Sequence, residues 1–247
     1  MLRIVSLGER LLRRQGYIVV LILAMIGLGA CVSLPGVPSI AQPEDWSYRW
    51  LKGIPCRAPC WEGITPGQTT AEEEVQILQR SPIVTAVKIT AIPGAPDVGV
   101  VEWNWTNTGR RGGGAEFHAQ TPSSPIYLVA PIFPVSFKLG DVIQAYGEPS
   151  HIIASSYYGP DIDSGVFYDL SILYLPQGFI IGVAGGRVKP TLSVDTLSEA
   201  VVFFAPGEEG LRSAFQWAAA YPNGLIPWQG MKDFDYYCRD EAGKPCP

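Results

Sequence analysis

The stretch Phe137-Lys138-Leu139-Gly140-Asp141-Val142-Ile143-Gln144-Ala145-Tyr146-Gly147-Glu148-Pro149 sets the fold class of this chain. Leu139, Val142, Ile143 and Tyr146 fall at i, i+3, i+4 and i+7, a spacing that predicts one short amphipathic helix with a single apolar stripe. Gly147 supplies the left-handed cap that closes such a helix, and Pro149 prevents its continuation. Strand-like segments come next, not another helix. Segments 151–158, 165–175, 178–184 and 200–204 each read as a strand from their β-branched and aromatic content and their turn-forming neighbours.

The same plan is visible earlier in the chain, opening at Trp61-Glu62-Gly63-Ile64-Thr65-Pro66-Gly67-Gln68-Thr69-Thr70. Thr69 or Thr70 can cap a helix, with Glu72 or Glu73 as the reciprocal partner, and acids in the first turn favour the helix dipole. Ala71, Val75 and Leu78 form its apolar stripe, and Ser81-Pro82 ends it. Strands are predicted at 83–92, 99–106, 114–119 and 126–130, with Gly112-Gly113-Gly114 read as a turn. Strict alternation in Val101-Glu102-Trp103-Asn104-Trp105 puts both tryptophans on one face of a strand. That face either packs beneath helices or is bare, and a bare one would be a recognition surface for protein or glycan. A last helix is predicted over 208–220, where Leu211, Phe215 and Ala218 line up.

The expected fold is therefore α+β: antiparallel sheet with short helices packed on one face, in two tandem helix-plus-meander units spanning 55–132 and 133–247. The second unit carries the last helix and a cysteine-containing tail. The motif Leu139-Gly140-Asp141-Val142-Ile143 through Gly147-Glu148-Pro149 resembles the fold shared by the accessory lipoprotein of outer-membrane barrel assembly and β-lactamase inhibitor protein. That resemblance covers roughly 63–130 and 137–185, and it implies a helical pair on a curved antiparallel sheet, doubled in tandem in the inhibitor. The string Pro59-Cys60-Trp61-x-Gly63-Ile64-x-Pro66-Gly67-x-Thr69-Thr70 is similar to one in bacterial lipoproteins of uncharacterised role, and no activity comes with it.

The amino-terminal segment speaks to location. Arg3, Arg10, Arg13 and Arg14 against Glu9 precede an apolar run over 17–30, the cationic flank and hydrophobic stretch of an export signal. Fourteen residues fall short of the roughly 20 that a helix needs to cross a bilayer. Leu28-Gly29-Ala30-Cys31 resembles the lipobox of bacterial lipoproteins. The resemblance implies that 1–30 is a lipoprotein signal peptide, that Cys31 becomes the first mature residue, and that its acyl chains hold the protein on a lipid bilayer. The location expected is the cell membrane or the outer membrane, lipid-anchored on the extracytoplasmic face. A chance cysteine after an ordinary signal, or an uncleaved anchor, are the competing readings. Residues 31–54, rich in proline and small side chains, are expected to be a flexible tether.

The whole chain carries a formal charge of −5, and four of its 18 basic but only one of its 23 acidic residues lie in the first thirty, leaving −8 after processing. No basic cluster survives to neutralise a phosphate backbone, which excludes nucleic acid as the expected partner. Besides Cys31 there are Cys56, Cys60, Cys238 and Cys246, an even number suited to disulfides in an oxidising compartment. Two local loops or a staple between the chain ends are both open, as three pairings exist. Zinc is disfavoured because His118 and His151 lie at no ligand spacing from a cysteine.

Catalytic motifs are sparse. Gly-x-Ser-x-Gly is absent, and His118 and His151 are the only bases a triad could use. Asp161-Ile162-Asp163-Ser164-Gly165 begins a calcium-loop spacing but has no closing glutamate, and reads as a hairpin turn. Arg110-Arg111-Gly112-Gly113-Gly114 lacks the Lys-Ser/Thr of a P-loop. The expected function is a noncatalytic binding or scaffolding module of the cell envelope, without a cofactor and with an envelope protein or glycan as partner. An extracytoplasmic hydrolase of an envelope substrate and an inhibitor of a secreted enzyme are the alternatives. A cleft with converging carboxylates of raised pKa would favour the hydrolase.

Overall fold

The computed structural model describes residues 47–239, 244 and 246, apart from 93, 107–110, 119–122, 159–164 and 218–223. All belong to one compact unit, Ile40–Pro247. Cys31, the apolar run before it and residues 161–164 of the expected hairpin turn lie outside the described residues.

Helix α1 (Ala71–Arg80) starts where the capping chemistry is best: the Thr70 hydroxyl accepts from the Glu73 amide, and the Glu73 carboxylate accepts from the Thr70 amide. Four antiparallel strands follow, β1 (Val84–Ile92), β2 (Ala95–Trp105), β3 (Arg111–His118) and β4 (Leu128–Lys138). Helix α2 (Leu139–Tyr146) ends at Gly147 with φ +83°. It leads into β5 (His151–Tyr158), β6 (Val166–Tyr174), β7 (Phe179–Gly186) and β8 (Leu197–Phe204). Helix α3 (Glu208–Trp217), the two-residue strand β9 (Ile226–Pro227) and the single-turn helix α4 (Phe234–Tyr237) complete the chain.

One nine-stranded sheet results, ordered β1-β2-β3-β4-β8-β7-β6-β5-β9. Each half is a meander of four consecutive strands, with β9 added beyond β5, and the halves meet where β4 pairs antiparallel with β8. The expected division after residue 132 falls inside β4, which runs on through Pro131 and Pro134. Pro134 is accommodated because the ladder with β8 is interrupted between Ile132 and Phe137, and Pro131 stands at the end of the ladder with β3, opposite Gly113.

Most of the apolar side chains collect on one face of this sheet. Trp103, Phe117, Phe133, Phe137, Tyr174, Phe179 and Phe203 are buried there beneath α1, α2 and α4. Helix α3 packs on the opposite face, contrary to the one-sided arrangement expected. Its Leu211, Ala214 and Phe215 meet Leu128, Ile180, Val202 and Phe204, because strands in the middle of the sheet are apolar on both faces.

Two further expectations are corrected. Residues 47–54, placed in the tether, are part of the folded body: 47–49 form a helical turn, and Trp50, 2% exposed, packs against Phe137, Tyr146, Phe179 and Phe203. The triplet Gly112-Gly113-Gly114 is not a turn but the interior of β3. A Cβ on Gly112 would come within 2.3 Å of the Trp103 ring, and one on Gly113 within 2.5 Å of both that ring and the Ala130 carbonyl. Glycine stands there to admit an indole.

The cysteines pair locally, Cys56 with Cys60 and Cys238 with Cys246, so neither bridge staples the chain ends together. No helix among the described residues is long and apolar enough to cross a membrane.

Candidate functional site

Trp103 and Trp105 do share a face of β2, but it is the helix-covered one. They are 1% and 4% exposed, Trp61 stacks on Trp103, and Trp105 Nε1 donates to the Ile132 carbonyl at 2.7 Å. The pair belongs to the core and offers no ring to a partner.

The side chains that alternate with them do face outward. Val100 and Glu102 on β2 stand beside Thr90 and Lys88 on β1 and Gly114 and Glu116 on β3, the positions that the strand registers place opposite one another. Together with Leu128, Ala130 and Ile132 of β4 they form a trough of about 590 Å³. Its floor is apolar, made by Val100, Gly114, Leu128, Ala130 and Ile132, and its rim is charged. Helix α3 reaches only the end of it, where Glu209 meets His118 at 2.7 Å.

Glu102 is the hub of the rim. It receives Lys88 at 3.1 Å on one oxygen and Arg111 at 2.9 Å on the other, and Thr90 also donates to it. The hydrogen bond from Lys88, with the nearby Arg111 charge, holds its carboxyl below the usual range. Glu116, two residues beyond the strand position facing Glu102, has no such cations and is pushed upward by burial. Tyr127 hydrogen-bonds its own amide to the Glu116 carbonyl, and its hydroxyl is pushed up to about 12 by burial and by the Glu116 and Glu209 charges. One trough thus holds a carboxylate kept ionised beside a carboxyl kept protonated longer than usual.

A smaller hollow of about 260 Å³ lies on the other side of the sheet's first half, bordered by Arg49, Trp61, Glu62 and Arg80. Burial pushes Glu62 up to about 7, against the pull of Arg49 at 3.4 Å. Its backbone is left-handed, φ +51°.

The two histidines are not brought together. His118 ends β3 at the trough's rim with its ring 5.6 Å from that of Tyr127, whereas His151 opens β5, paired with Pro227 of β9. No group of His, Cys, Asp or Glu among the described residues has the geometry to hold a metal ion. Glu102, Arg111 and Glu116 escape motif reading because they lie on three positions of two strands. The only signal for them was the polar half of the alternation that placed the tryptophans inside.

The chain matches no protein-family model, no curated protein and no solved structure.

Proposed function

We propose that this chain is a noncatalytic binding module of the cell envelope, anchored on the extracytoplasmic face of the cell membrane or outer membrane through acylated Cys31, and that the trough over β1–β4 is its recognition surface. The observation that carries this reading is the unequal treatment of the two sheet faces. One is sealed by three helices, while on the other, over β1–β4, a trough with an apolar floor stays open and Ile132 on it is 40% exposed. Such a surface is retained where something else covers it.

The chemistry of the trough favours a polypeptide segment over a glycan. Among the described residues no aromatic ring lines it, so a sugar would lack a stacking platform there, whereas an apolar side chain flanked by charged groups would meet Val100 and Ile132 with Arg111 and Glu116 at hand. A photo-crosslinking residue in place of Ile132 should yield a discrete envelope-protein adduct in intact cells, and one in place of Leu225 should not. Equal labelling from both positions would remove the trough from the argument, and mass spectrometry of the Cys31 peptide tests the anchor separately.

We further infer that the two helix-led meanders are tandem copies of one unit, as in the inhibitor fold that the sequence resembles. What supports this is the mirrored strand order about the β4·β8 junction and a short helix leading each half.

One observation favours the hydrolase reading, the opposite shifts of Glu102 and Glu116 within a single trough. In that reading Glu116 donates a proton to a leaving group and Glu102 acts as the base. Release of new reducing ends or amino groups from purified envelope polymer by the wild type, lost in Glu116→Gln, would establish it in place of the binding role.

A further inference from the structure

Strand register surrounds Glu116 with apolar neighbours. On β3 it stands opposite Val100 of β2 and Leu128 of β4, both buried, and two residues before it on the same face comes Gly114, which puts no side chain beside it. A carboxylate so placed is partly stripped of water, which is why burial raises its pKa. Such a loss of hydration is ordinarily offset by a cation or by hydrogen-bond donors.

The charged groups around Glu116 are engaged elsewhere. Arg111 passes over Gly114, its Nη2 3.8 Å from where a Cβ on that glycine would stand, but the guanidinium is held by Glu102 at 2.9 Å. Lys88 of β1 is held by the same carboxylate at 3.1 Å. His118, next on this face of β3, meets Glu209 of α3 at 2.7 Å. Tyr127 feels the Glu116 charge, and with its hydroxyl pushed up to about 12 it stays neutral and offers no cation. Of the three charged residues that line the trough, Glu102, Arg111 and Glu116, only Glu116 has a side chain without an ion pair or hydrogen bond among the described residues.

We propose that the trough selects a basic side chain of its polypeptide partner, an arginine whose methylene stem lies along the apolar floor and whose guanidinium pairs with Glu116. This rests on the trough being the recognition surface, as proposed above, and adds the charge that the partner must bring. Arginine suits both halves of the site. Its stem covers apolar surface while its head stays with a polar group, its planar fork meets both oxygens of a carboxylate, and it is more weakly hydrated than an ammonium group. Glu102 does not compete for it, because Lys88 and Arg111 already occupy its two oxygens.

The test uses the full chain in detergent. The probes are N-acetyl-leucyl-arginyl-leucine amide and the same peptide with citrulline, the uncharged isostere, in place of arginine. Binding is followed near neutral pH by NMR of the Val100, Leu128 and Ile132 methyl groups. The arginine peptide should bind about tenfold more tightly than the citrulline peptide. Glu116→Gln should bring the two to equality, Glu116→Asp should keep a preference of the same sign, and Glu209→Gln should leave the ratio unchanged. With its carboxyl carbon labelled, Glu116 of the wild type should titrate at lower pH once the arginine peptide is added and not when the citrulline peptide is added, a response that a merely structural carboxyl would not give. Should Glu116→Gln fold poorly, that titration and the peptide pair on the wild type still decide. Equal affinities for the two peptides, a preference that survives Glu116→Gln, or no binding of either peptide overturns the proposal. Agmatine binding as tightly as the arginine peptide overturns it in favour of a free amine. The crosslink from Ile132 decides independently whether the trough recognises a partner at all.

Discussion

The indole of Trp61 lies nearly flat against that of Trp103, ring centres 5.4 Å apart and planes inclined by 19°. Trp61 comes from the segment ahead of α1 and Trp103 from the second strand of the sheet, so the stack ties the entering chain to β2. Beneath Trp103 run Gly112 and Gly113, and the absence of their side chains makes the stack possible.

Gly112→Ala should therefore act as an overpacking mutation although it adds one methyl group. The new Cβ would overlap the Trp103 ring, which is held from above by Trp61 and has nowhere to move. A loss of about 1–3 kcal/mol is expected, read as a lower urea midpoint at constant slope. An unchanged midpoint would mean that the ring has slack the packing does not suggest.

Glu74 gives a pH-dependent prediction. Its side chain is fully buried on α1, both oxygens lack a hydrogen-bond partner among the described residues, and burial raises its pKa well above 4.5. The folded state thus holds a proton that the unfolded chain releases near 4.5. The stability tied to that proton is complete below the unfolded value and declines as pH rises toward the folded one. Glu62 contributes in the same sense, with its decline spread between 4.5 and about 7. Glu74→Met should stabilise the protein more at pH 8 than at pH 5, by about 1–3 kcal/mol at the higher pH, the usual penalty of an unsatisfied buried polar group. Urea midpoints of both proteins at the two pH values provide the check.

The two disulfides should contribute unequally. Cys238–Cys246 closes the longer loop, Cys238 is fully buried, and the Cys246 carbonyl accepts from Lys189, which also pairs with Asp235. Cys56–Cys60 closes a five-residue loop that is partly exposed. Replacing Cys238 and Cys246 by alanine should cost about 2–3 kcal/mol from chain entropy, plus the cavity left at Cys238. The same change at Cys56 and Cys60 should cost less. Thermal melts of both double variants, run without reductant, would show the order.

How much of this was legible beforehand depended on whether a signal was local. Helix α2 and strand β5 begin and end where stripe, glycine and proline place them, because each of those cues acts within a few residues. The Gly112–Gly114 triplet misled because its cause, the Trp103 indole, is a neighbour across the sheet and not along the chain. Trp50 was lost to a segment whose prolines dominate its composition, though a tryptophan beside Tyr48 and Leu51 is apolar enough to be drawn inside. The trough depended on strand register: Glu102 and Glu116 become neighbours only once β2 and β3 are paired, and no spacing in the sequence carries that pairing.

Where Trp50 sits decides how a pull on the amino-terminal end would be borne. Its ring is wedged among Phe137, Phe179 and Phe203, and its carbonyl is held by the Tyr146 hydroxyl, so tension arriving along the chain is handed to α2 and to strands in the middle of the sheet. The first three strands of the trough take no direct share of that load. Force applied at that end can strain the centre of the sheet while the hollow over β1–β3 keeps its shape.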